Sequence, residues 1–218
     1  MEDKTINKAI KVIGLTGMYC AGKNHVAKLI ERRSLPVLDV DKLGYTVIEN
    51  EKERLTARFG DGILGMDGLV DRKLLGARVF GRNEELAALE NIIHPAVNRE
   101  TIDWINAREE KACVINAALL HRSSAFTILD ALIIVEAPFL VRLVRAKKRD
   151  KLSWRALLKR FGSQSNFNTQ YLEGKTDIYK VSNPSCCVGS GFFRKGSNSS
   201  RKKLEDRIEE ILSPLVND

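Results

Sequence analysis

The stretch that decides the fold is Gly17-Met18-Tyr19-Cys20-Ala21-Gly22-Lys23-Asn24, in which a glycine is followed by four residues and then by Gly-Lys. An apolar run of strand type, residues 11–16, precedes it, and a segment with apolar residues at helical spacing follows it. Strand, glycine loop and helix in this order favour a phosphate-binding loop. Glycines let backbone N–H groups converge on phosphate oxygens, and the start of a helix carries partial positive charge. The alternative is a tight glycine turn between a strand and a helix.

The two residues that close this stretch predict a nucleotide phosphate and a metal ion. The pattern places Lys23 where its ammonium group reaches the β- and γ-phosphates of ATP. The next residue is usually Ser or Thr, whose hydroxyl binds Mg²⁺, but here it is Asn24. An amide carbonyl oxygen also suits a hard cation. We therefore expect Asn24 to be a Mg²⁺ ligand.

Length and composition bound the class of protein. The 218 residues, 44% of them hydrophobic, indicate one α/β domain with helical insertions. The apolar runs are too short for a membrane span, and the first residues lack a signal-peptide core, so a cytoplasmic location is expected. The four cysteines, at positions 20, 113, 186 and 187, have no CxxC spacing. This argues for reduced thiols rather than a zinc site or a disulfide framework.

Five apolar runs alternate with helical patterns, which predicts an α/β doubly wound fold with a parallel sheet. The predicted strands are residues 11–16, 36–41, 112–116, 131–136 and 178–182. We expect Asp71 to cap a helix that runs through Phe80, Asn83 to cap the next helix, and Pro95 to start another. Pro138 should open a long basic helix. The last helix should run from about residue 200 to 212, with Leu204, Ile208 and Ile211 inward, after a loop at 185–200.

Asp39 and Asp41 end the second predicted strand, at the edge where parallel sheets place ligands. Alternation along a strand would put both side chains on one face. Phosphoryl transfer needs one acid to hold Mg²⁺ and another to accept or orient the attacking hydroxyl. We expect the pair to divide this work, with Asp39 near the metal. The alternative is a helix cap, which Asp41 could provide.

The formal net charge is +8, and the region 142–160 has nine Lys or Arg residues against one acid. Arg145 and Arg149 lie one helical turn apart, and with Arg160 they could clamp phosphates during transfer. The alternative is a solvated basic helix face. Aromatic interleaving is missing, so no nucleic-acid partner is expected. His94 precedes Pro95 in a dipeptide that is typical of a helix start. If His94 has no role at the site, the alternative is a histidine that packs in the core or caps the helix.

Taken together, these motifs resemble the dephospho-coenzyme A kinases, a family of P-loop kinases related to the nucleoside monophosphate kinases. The Asp-x-Asp and His-Pro elements are fairly specific for this family, and the order and spacing hold from about residue 10 to 165. The resemblance rests on Gly14–Gly17 through Lys23, Val37–Asp41, Phe59-Gly60, Asp67-Gly68, Asp71–Leu75, Val79-Phe80, Ile93–Pro95, Leu119-Leu120, Arg145, Arg149-Asp150, Arg160 and Gln164.

The resemblance implies a P-loop kinase fold with a five-stranded parallel sheet, a helical substrate-binding region and a lid. The nucleotide-binding core would comprise residues 10–41, 112–137 and 177–215, the dephospho-CoA-binding region 42–111, and the lid 138–176. Asp41 would be the base facing the ribose 3′-hydroxyl, Lys23 and Arg149 would share the catalytic work, and His94 would bind the acceptor with Asp41. The ATP-binding set would be Gly17, Met18, Tyr19, Cys20, Ala21, Gly22, Lys23, Asn24 and Arg145.

The chain also departs from the family pattern. Asn24 replaces the hydroxyl residue, His121 stands where an acid usually follows the Leu-Leu pair, and a long Cys/Gly/Ser-rich segment follows Asn183-Pro184. The expected function is ATP-dependent phosphorylation of dephospho-CoA, with ATP and Mg²⁺ as the required small molecules. Two alternatives stay open: a small kinase for another nucleoside or nucleotide, and a nucleotide-binding protein with weakened turnover.

Overall fold

The structure is a computed structural model, and it describes residues 10–120, 124–162, 176–184 and 198–217. His121, Gln164, Cys186, Cys187 and most of the 185–200 loop lie outside the described residues. The strands are β1 (Lys11–Gly17), β2 (Val37–Asp39), β3 (Ala112–Asn116), β4 (Ala131–Glu136) and β5 (Asp177–Ser182). The α-helices are α1 (Lys23–Glu31), α2 (Val40–Asn50), α3 (Lys52–Phe59), α4 (Arg72–Val79), α5 (Asn83–Asn106), α6 (Phe139–Asp150), α7 (Trp154–Gly162) and α8 (Asn198–Asn217). Short 3₁₀ turns occupy Asp61–Ile63 and Ser124–Ile128.

The five strands form one sheet in the order β2-β3-β1-β4-β5. β1 lies at the centre and pairs in parallel with β3 and β4, and β4 pairs in parallel with β5. At its carboxyl end β1 brings Leu15 opposite Asn116 and Gly17 opposite Val135. The expected α/β fold with a five-stranded parallel sheet is confirmed, and the loop after β1 leaves the sheet at its carboxyl edge, where such folds bind ligands.

The core of the sheet explains why its strands are apolar without alternation. Every residue of β3 is buried, as are all residues of β4 except its last, because helices cover both faces of a parallel sheet. From α1, Val26, Leu29 and Ile30 are buried, and from α8 the expected Leu204, Ile208 and Ile211 are 3% or less exposed. Each such side chain contributes about 1.5–3 kcal/mol on burial, so the core holds β1 and α1 in place around the loop.

Residues Leu38–Ala107 form a second compact unit, which is helical. Its own core contains Leu55, Phe59, Ile63, Leu75 and Val79. Asp71 caps α4 as expected, since its carboxylate accepts hydrogen bonds from the N–H groups of Lys73 at 2.7 Å and Leu74 at 3.3 Å. Among the described helices of both units, none is long and apolar enough to cross a membrane.

The prediction of a strand over residues 36–41 is wrong at its end. β2 stops at Asp39, and α2 begins at Val40. Asp39 has extended backbone angles, and its Oδ1 accepts a hydrogen bond from the Lys42 N–H at 3.2 Å, so Asp39 is the helix N-cap. Asp41 therefore lies in the first helical turn, and the two carboxylates do not share a strand face.

The prediction that Pro95 starts a helix is also wrong. α5 runs without a break from Asn83 to Asn106 with Pro95 inside it, and Arg82, not Asn83, is at the N-cap position. An interior proline removes one helical hydrogen bond and usually costs ~3 kcal/mol. The helix continues because Ala96, Thr101 and Ile105 are buried beyond the proline, so packing outweighs the local preference.

Candidate active site

The loop between β1 and α1 has the backbone shape that close approach to a phosphate requires. Gly22 has φ +100°, and Cys20 has φ +60°. A Cβ atom at Gly17 would lie 2.8 Å from the Val135 carbonyl oxygen, so only glycine lets the strand end pass β4 this closely. The helix then begins at Lys23. The loop thus turns at Cys20 and at Gly22, directly before the helix, and Gly17 lets the end of β1 pass close to β4.

Two side chains from distant parts of the chain hold the loop by its carbonyl groups. The guanidinium of Arg145, on α6, donates to the carbonyl oxygens of Cys20 at 3.2 Å and Ala21 at 2.8 Å. Asn183, which follows β5 and is 3% exposed, donates its amide N–H to the Ala21 oxygen at 2.9 Å. Arg145 also donates to the Asn183 carbonyl at 3.0 Å, which ties the two supports together.

This support leaves the N–H side of the loop available for an anion. Within the described part of the chain, the backbone N–H groups of Cys20, Gly22 and Asn24 have no hydrogen-bond acceptor. Unsatisfied N–H groups at the first turn of a helix, together with the helix dipole, form a binding site for phosphate. Lys23, half-buried at the first position of α1, adds a positive charge beside them.

Asn24 contacts a residue that the sequence patterns did not single out. The side chain of Asn116, at the carboxyl end of β3, donates its amide N–H to Asn24 Oδ1 at 3.4 Å. Asn116 is 2% exposed, and its own Oδ1 has no hydrogen-bond partner among the residues described. A single asparagine at the end of a wholly apolar strand beside β1 is the sequence signal that could have identified it.

A carboxylate at the end of α6 joins the loop to the basic cluster. Asp150 Oδ1 accepts from Arg149 Nε at 2.7 Å, and Oδ2 accepts from Arg160 Nη1 at 3.4 Å and from the Tyr19 hydroxyl of the loop. The hydrogen bond from Arg149 is the main cause that holds the pKa of Asp150 below its ordinary value, and the same bond raises the pKa of Arg149. Asp150 therefore stays ionised and fixes both arginines near Tyr19.

Aromatic rings pack beside this cluster. The Tyr19 and Phe161 rings meet edge to face with their centroids 5.3 Å apart, and Phe161 meets Phe139 in the same way at 5.2 Å. The Arg149 guanidinium lies over the Tyr19 ring at 5.1 Å. Burial beside these groups is the main cause that raises the pKa of the Cys20 thiol, so Cys20 is not an activated thiolate.

In the helical unit, the predicted site residues lie on two helices. Asp41 is exposed in the first turn of α2, and His94 is exposed on α5. Asp39 is engaged as the cap of α2 and lies 3.6 Å from the Lys42 ammonium. One turn beyond Asp41, the exposed Tyr45 ring carries the Arg72 guanidinium over its face at 4.0 Å. The sequence analysis did not predict this contact between Arg72 and Tyr45.

No group of three or more His, Cys, Asp or Glu side chains that could hold a metal ion occurs among the described residues. The expected Mg²⁺ ligands Asn24 and Asp39 therefore stay a prediction from the sequence.

The central β1, its anion-binding loop with Lys23 and the parallel sheet define the class as a P-loop kinase. The family model for dephospho-CoA kinase matches residues 11–178. The chain therefore belongs to the dephospho-CoA kinase family. It is 34% identical over 172 residues to the dephospho-CoA kinase of Halalkalibacterium halodurans, a match that spans 76% of this chain and 83% of that protein.

Solved structures share the fold of this chain. The crystal structure of TT1252 from Thermus thermophilus is 28% identical and has a TM-score of 0.75, with 95% of this chain and 99% of that chain covered. The dephospho-CoA kinase of Campylobacter jejuni has a TM-score of 0.62 at 20% identity, covers 96% of this chain and 100% of that chain, and supports the fold alone. As a member of the family that its family model and its relatives show, the chain phosphorylates dephospho-CoA in the last step of coenzyme A biosynthesis, with ATP as the phosphoryl donor.

Proposed function

We propose that the acceptor atom is the ribose 3′-hydroxyl oxygen of dephospho-CoA. The bond from this oxygen to the γ-phosphorus of ATP forms, the bond from the γ-phosphorus to the β,γ-bridging oxygen breaks, and coenzyme A and ADP are the products. The observation that carries the ATP half of the proposal is the loop whose N–H groups at Cys20, Gly22 and Asn24 lack acceptors within the described chain. Phosphoryl transfer depends mostly on positioning and charge stabilisation, which such a loop provides.

We assign the remaining work to side chains as follows. Lys23 and Arg149 neutralise charge on the phosphates, and Asp41 accepts the proton of the attacking hydroxyl. Arg145 belongs to the ATP site through the loop carbonyls that it binds. Asp41 and His94 contact the acceptor, and both are exposed in the helical unit. We retain residues 42–111 as the dephospho-CoA-binding region, 138–176 as the lid, and 10–41, 112–137 and 177–215 as the nucleotide-binding core.

We also propose Mg²⁺ as the metal of the reaction, because the residues at the loop fit its chemistry. Asn24 offers an amide oxygen at the helix start, and the buried Asn116 Oδ1 beside it lacks a donor among the described residues. Asp39 would contribute to Mg²⁺ binding only while its carboxylate also caps α2. When bound, Mg²⁺ would offset the charge of the ATP phosphates. Cys20 and Cys113 are free thiols, which is compatible with the cytoplasmic location that we propose.

The test is an ADP-release assay with the full chain, ATP, Mg²⁺ and dephospho-CoA, with ³¹P NMR to place the new phosphate on the 3′-oxygen. An acceptor lacking the 3′-hydroxyl should give no transfer, whereas transfer to unrelated nucleosides at a similar rate would favour the alternative kinase. Lys23→Ala should reduce turnover on the order of a hundredfold or more. The exposed Lys28 lies on the same helix, so Lys28→Ala is the matched control. Equal rates for the two variants would contradict the role of Lys23.

A further inference from the structure

Tyr19 joins the phosphate loop to the ends of α6 and α7. Its hydroxyl donates a hydrogen bond to Asp150 Oδ2, on the last residue of α6, and accepts one from Arg160 Nη1 of α7 at 3.4 Å. Its ring meets the Phe161 ring of α7 edge to face, with the centroids 5.3 Å apart. The loop and both helices belong to one compact unit of the chain. Tyr19 is therefore fixed by a polar contact at its tip and an apolar contact along its ring.

Asp150 passes this contact on to Arg149. Arg149 Nε donates to Asp150 Oδ1 at 2.7 Å, and Arg149 Nη2 donates to Oδ2 at 3.3 Å. Two such bonds to one carboxylate fix the plane of a guanidinium, which a single bond does not. The same guanidinium lies over the Tyr19 ring, 5.1 Å from its centroid. Arg149 is thus held by the carboxylate on one edge and by the ring on one face.

Exposure makes these contacts important for Arg149. The Arg149 side chain is 60% exposed, whereas that of Asp150 is 16% exposed. A long exposed side chain has many rotamers, and ordering it at the moment of reaction costs conformational entropy. The contacts to Asp150 and Tyr19 order the guanidinium before any nucleotide is bound.

We propose that Tyr19 is a positioning residue for phosphoryl transfer: its hydroxyl holds Asp150, and Asp150 holds the Arg149 guanidinium beside the phosphate loop. A positive group that is ordered in advance stabilises developing charge without reorganisation, so it contributes more than a mobile one. The inference rests on the role proposed above for Arg149 in neutralising charge on the phosphates. Tyr19 acts through Asp150 and Arg149 and takes no part in the bonds that form and break.

Tyr19→Phe separates the hydroxyl from the ring. The variant keeps the ring beside Phe161 and under Arg149 but loses the hydrogen bond to Asp150. Turnover at saturating substrates should fall roughly tenfold, less than the ~10²-fold that a larger misplacement of a catalytic group can cost. Affinity for ADP should stay within about twofold of the unmodified chain, because the loop N–H groups and Lys23 are unchanged.

The experiment is steady-state kinetics of the full chain with ATP, Mg²⁺ and dephospho-CoA, together with calorimetric titration with ADP. Tyr179→Phe is the matched control, because Tyr179 lies on β5, packs against the core of the sheet and is outside this cluster. Its turnover should equal that of the unmodified chain. In an Arg149→Ala background, Tyr19→Phe should have little further effect, since the group that Tyr19 positions is already absent.

Three results would overturn the role of Tyr19. The first is unchanged turnover in Tyr19→Phe. The second is tighter ADP binding with equal or higher turnover, which would mean that Asp150 withholds the arginines from the nucleotide. The third is an equal loss on Tyr19→Phe with and without Arg149, which would show that the effect does not pass through Arg149.

The variants also separate this inference from the proposed function. Full turnover in Arg149→Ala alone would contradict the role proposed for Arg149, and the inference about Tyr19 would fail with it. Low turnover in Arg149→Ala beside normal turnover in Tyr19→Phe would refute only the inference about Tyr19. Transfer to dephospho-CoA by the unmodified chain is measured in the same assay, so the proposed reaction is tested independently of both variants.

Discussion

Replacing Gly22 by alanine tests how the phosphate loop is held. At φ +100° an L-residue is strained, which costs roughly 1–2 kcal/mol. The new Cβ atom would also lie 2.2 Å from Asn183 Nδ2. Asn183 is buried and donates to the Ala21 carbonyl at 2.9 Å. If its side chain moves away from the new Cβ atom, this hydrogen bond is lost. The loss costs about 1–2 kcal/mol, which includes the desolvation of the unpaired groups.

Together these effects predict a loss of about 2–4 kcal/mol in the free energy of unfolding for Gly22→Ala. In a chain of this size each kcal/mol lowers the melting temperature by about 2–4 °C, so the expected drop is roughly 4–16 °C. Nucleotide affinity should fall as well, because displacement of Asn183 releases the Ala21 carbonyl and turns the loop N–H groups away from the phosphates. Differential scanning calorimetry and ADP titration measure the two effects.

Two further variants separate strain from collision. Gly81 also has a positive φ, +80°, but an added Cβ there has no atom within 4 Å, so Gly81→Ala should show the backbone strain alone. Asn183→Ala in the Gly22→Ala background removes the colliding amide, and the double variant should lose less stability than the sum of the single variants. The reasoning fails if Gly22→Ala is no more destabilising than Gly81→Ala, or if its effect adds to that of Asn183→Ala.

Three further expectations concern the proposed chemistry. Asp41→Asn should lower turnover by about 10²–10⁴-fold with ADP affinity little changed; in steady-state kinetics, a larger loss in Asp39→Asn would reverse the roles of the two acids. Arg149→Lys keeps the charge but loses the planar set of donors, so the lysine variant should have low turnover. Full activity of this variant would favour the alternative, in which Arg149 belongs to a solvated helix face. The folded-state pKa of Asp150 is lowered, mainly by its hydrogen bond from Arg149. Its contribution to stability is therefore present above the unfolded pKa and is lost as the pH falls toward the folded one. Asp150→Asn should consequently flatten the acid side of the melting-temperature profile, and an unchanged profile would contradict the ion pair.

The local sequence pattern was sufficient to predict the structure where the residues favoured one interpretation. The apolar runs of β1, β3 and β4 and the glycine loop before α1 were placed within a residue or two of the structure. The Asp-x-Asp segment shows the opposite case, because an acid at Asp39 fits both a strand end and a helix cap. In the structure Asp39 is both the last residue of β2 and the cap of α2, through its hydrogen bond from the Lys42 N–H, whereas the sequence offered Asp41 as the cap.

Long-range contacts are the other part that sequence could not supply. Pro95 predicts a helix start by its local preference, yet the buried residues Ala96, Thr101 and Ile105 that follow it keep α5 continuous. The Asn183–Ala21 contact joins residues 162 positions apart, and the Asn116–Asn24 contact joins residues 92 positions apart. A single sequence shows such residues only as isolated polar letters, so the supports of the loop were missed although the loop itself was found.

The three arginines expected to act together are given different tasks by their contacts. Arg145 is engaged with the carbonyl groups of Cys20 and Ala21, so it supports the loop from its carbonyl side. Arg149 and Arg160 instead share the carboxylate of Asp150. Two positive charges against one negative charge leave the cluster net positive beside Tyr19, and a nucleotide phosphate would have to compete with Asp150 for their donors. The phosphate clamp expected from the sequence would therefore consist of Arg149 and Arg160 with Asp150 as their counter-ion, and Arg145 would act through the loop.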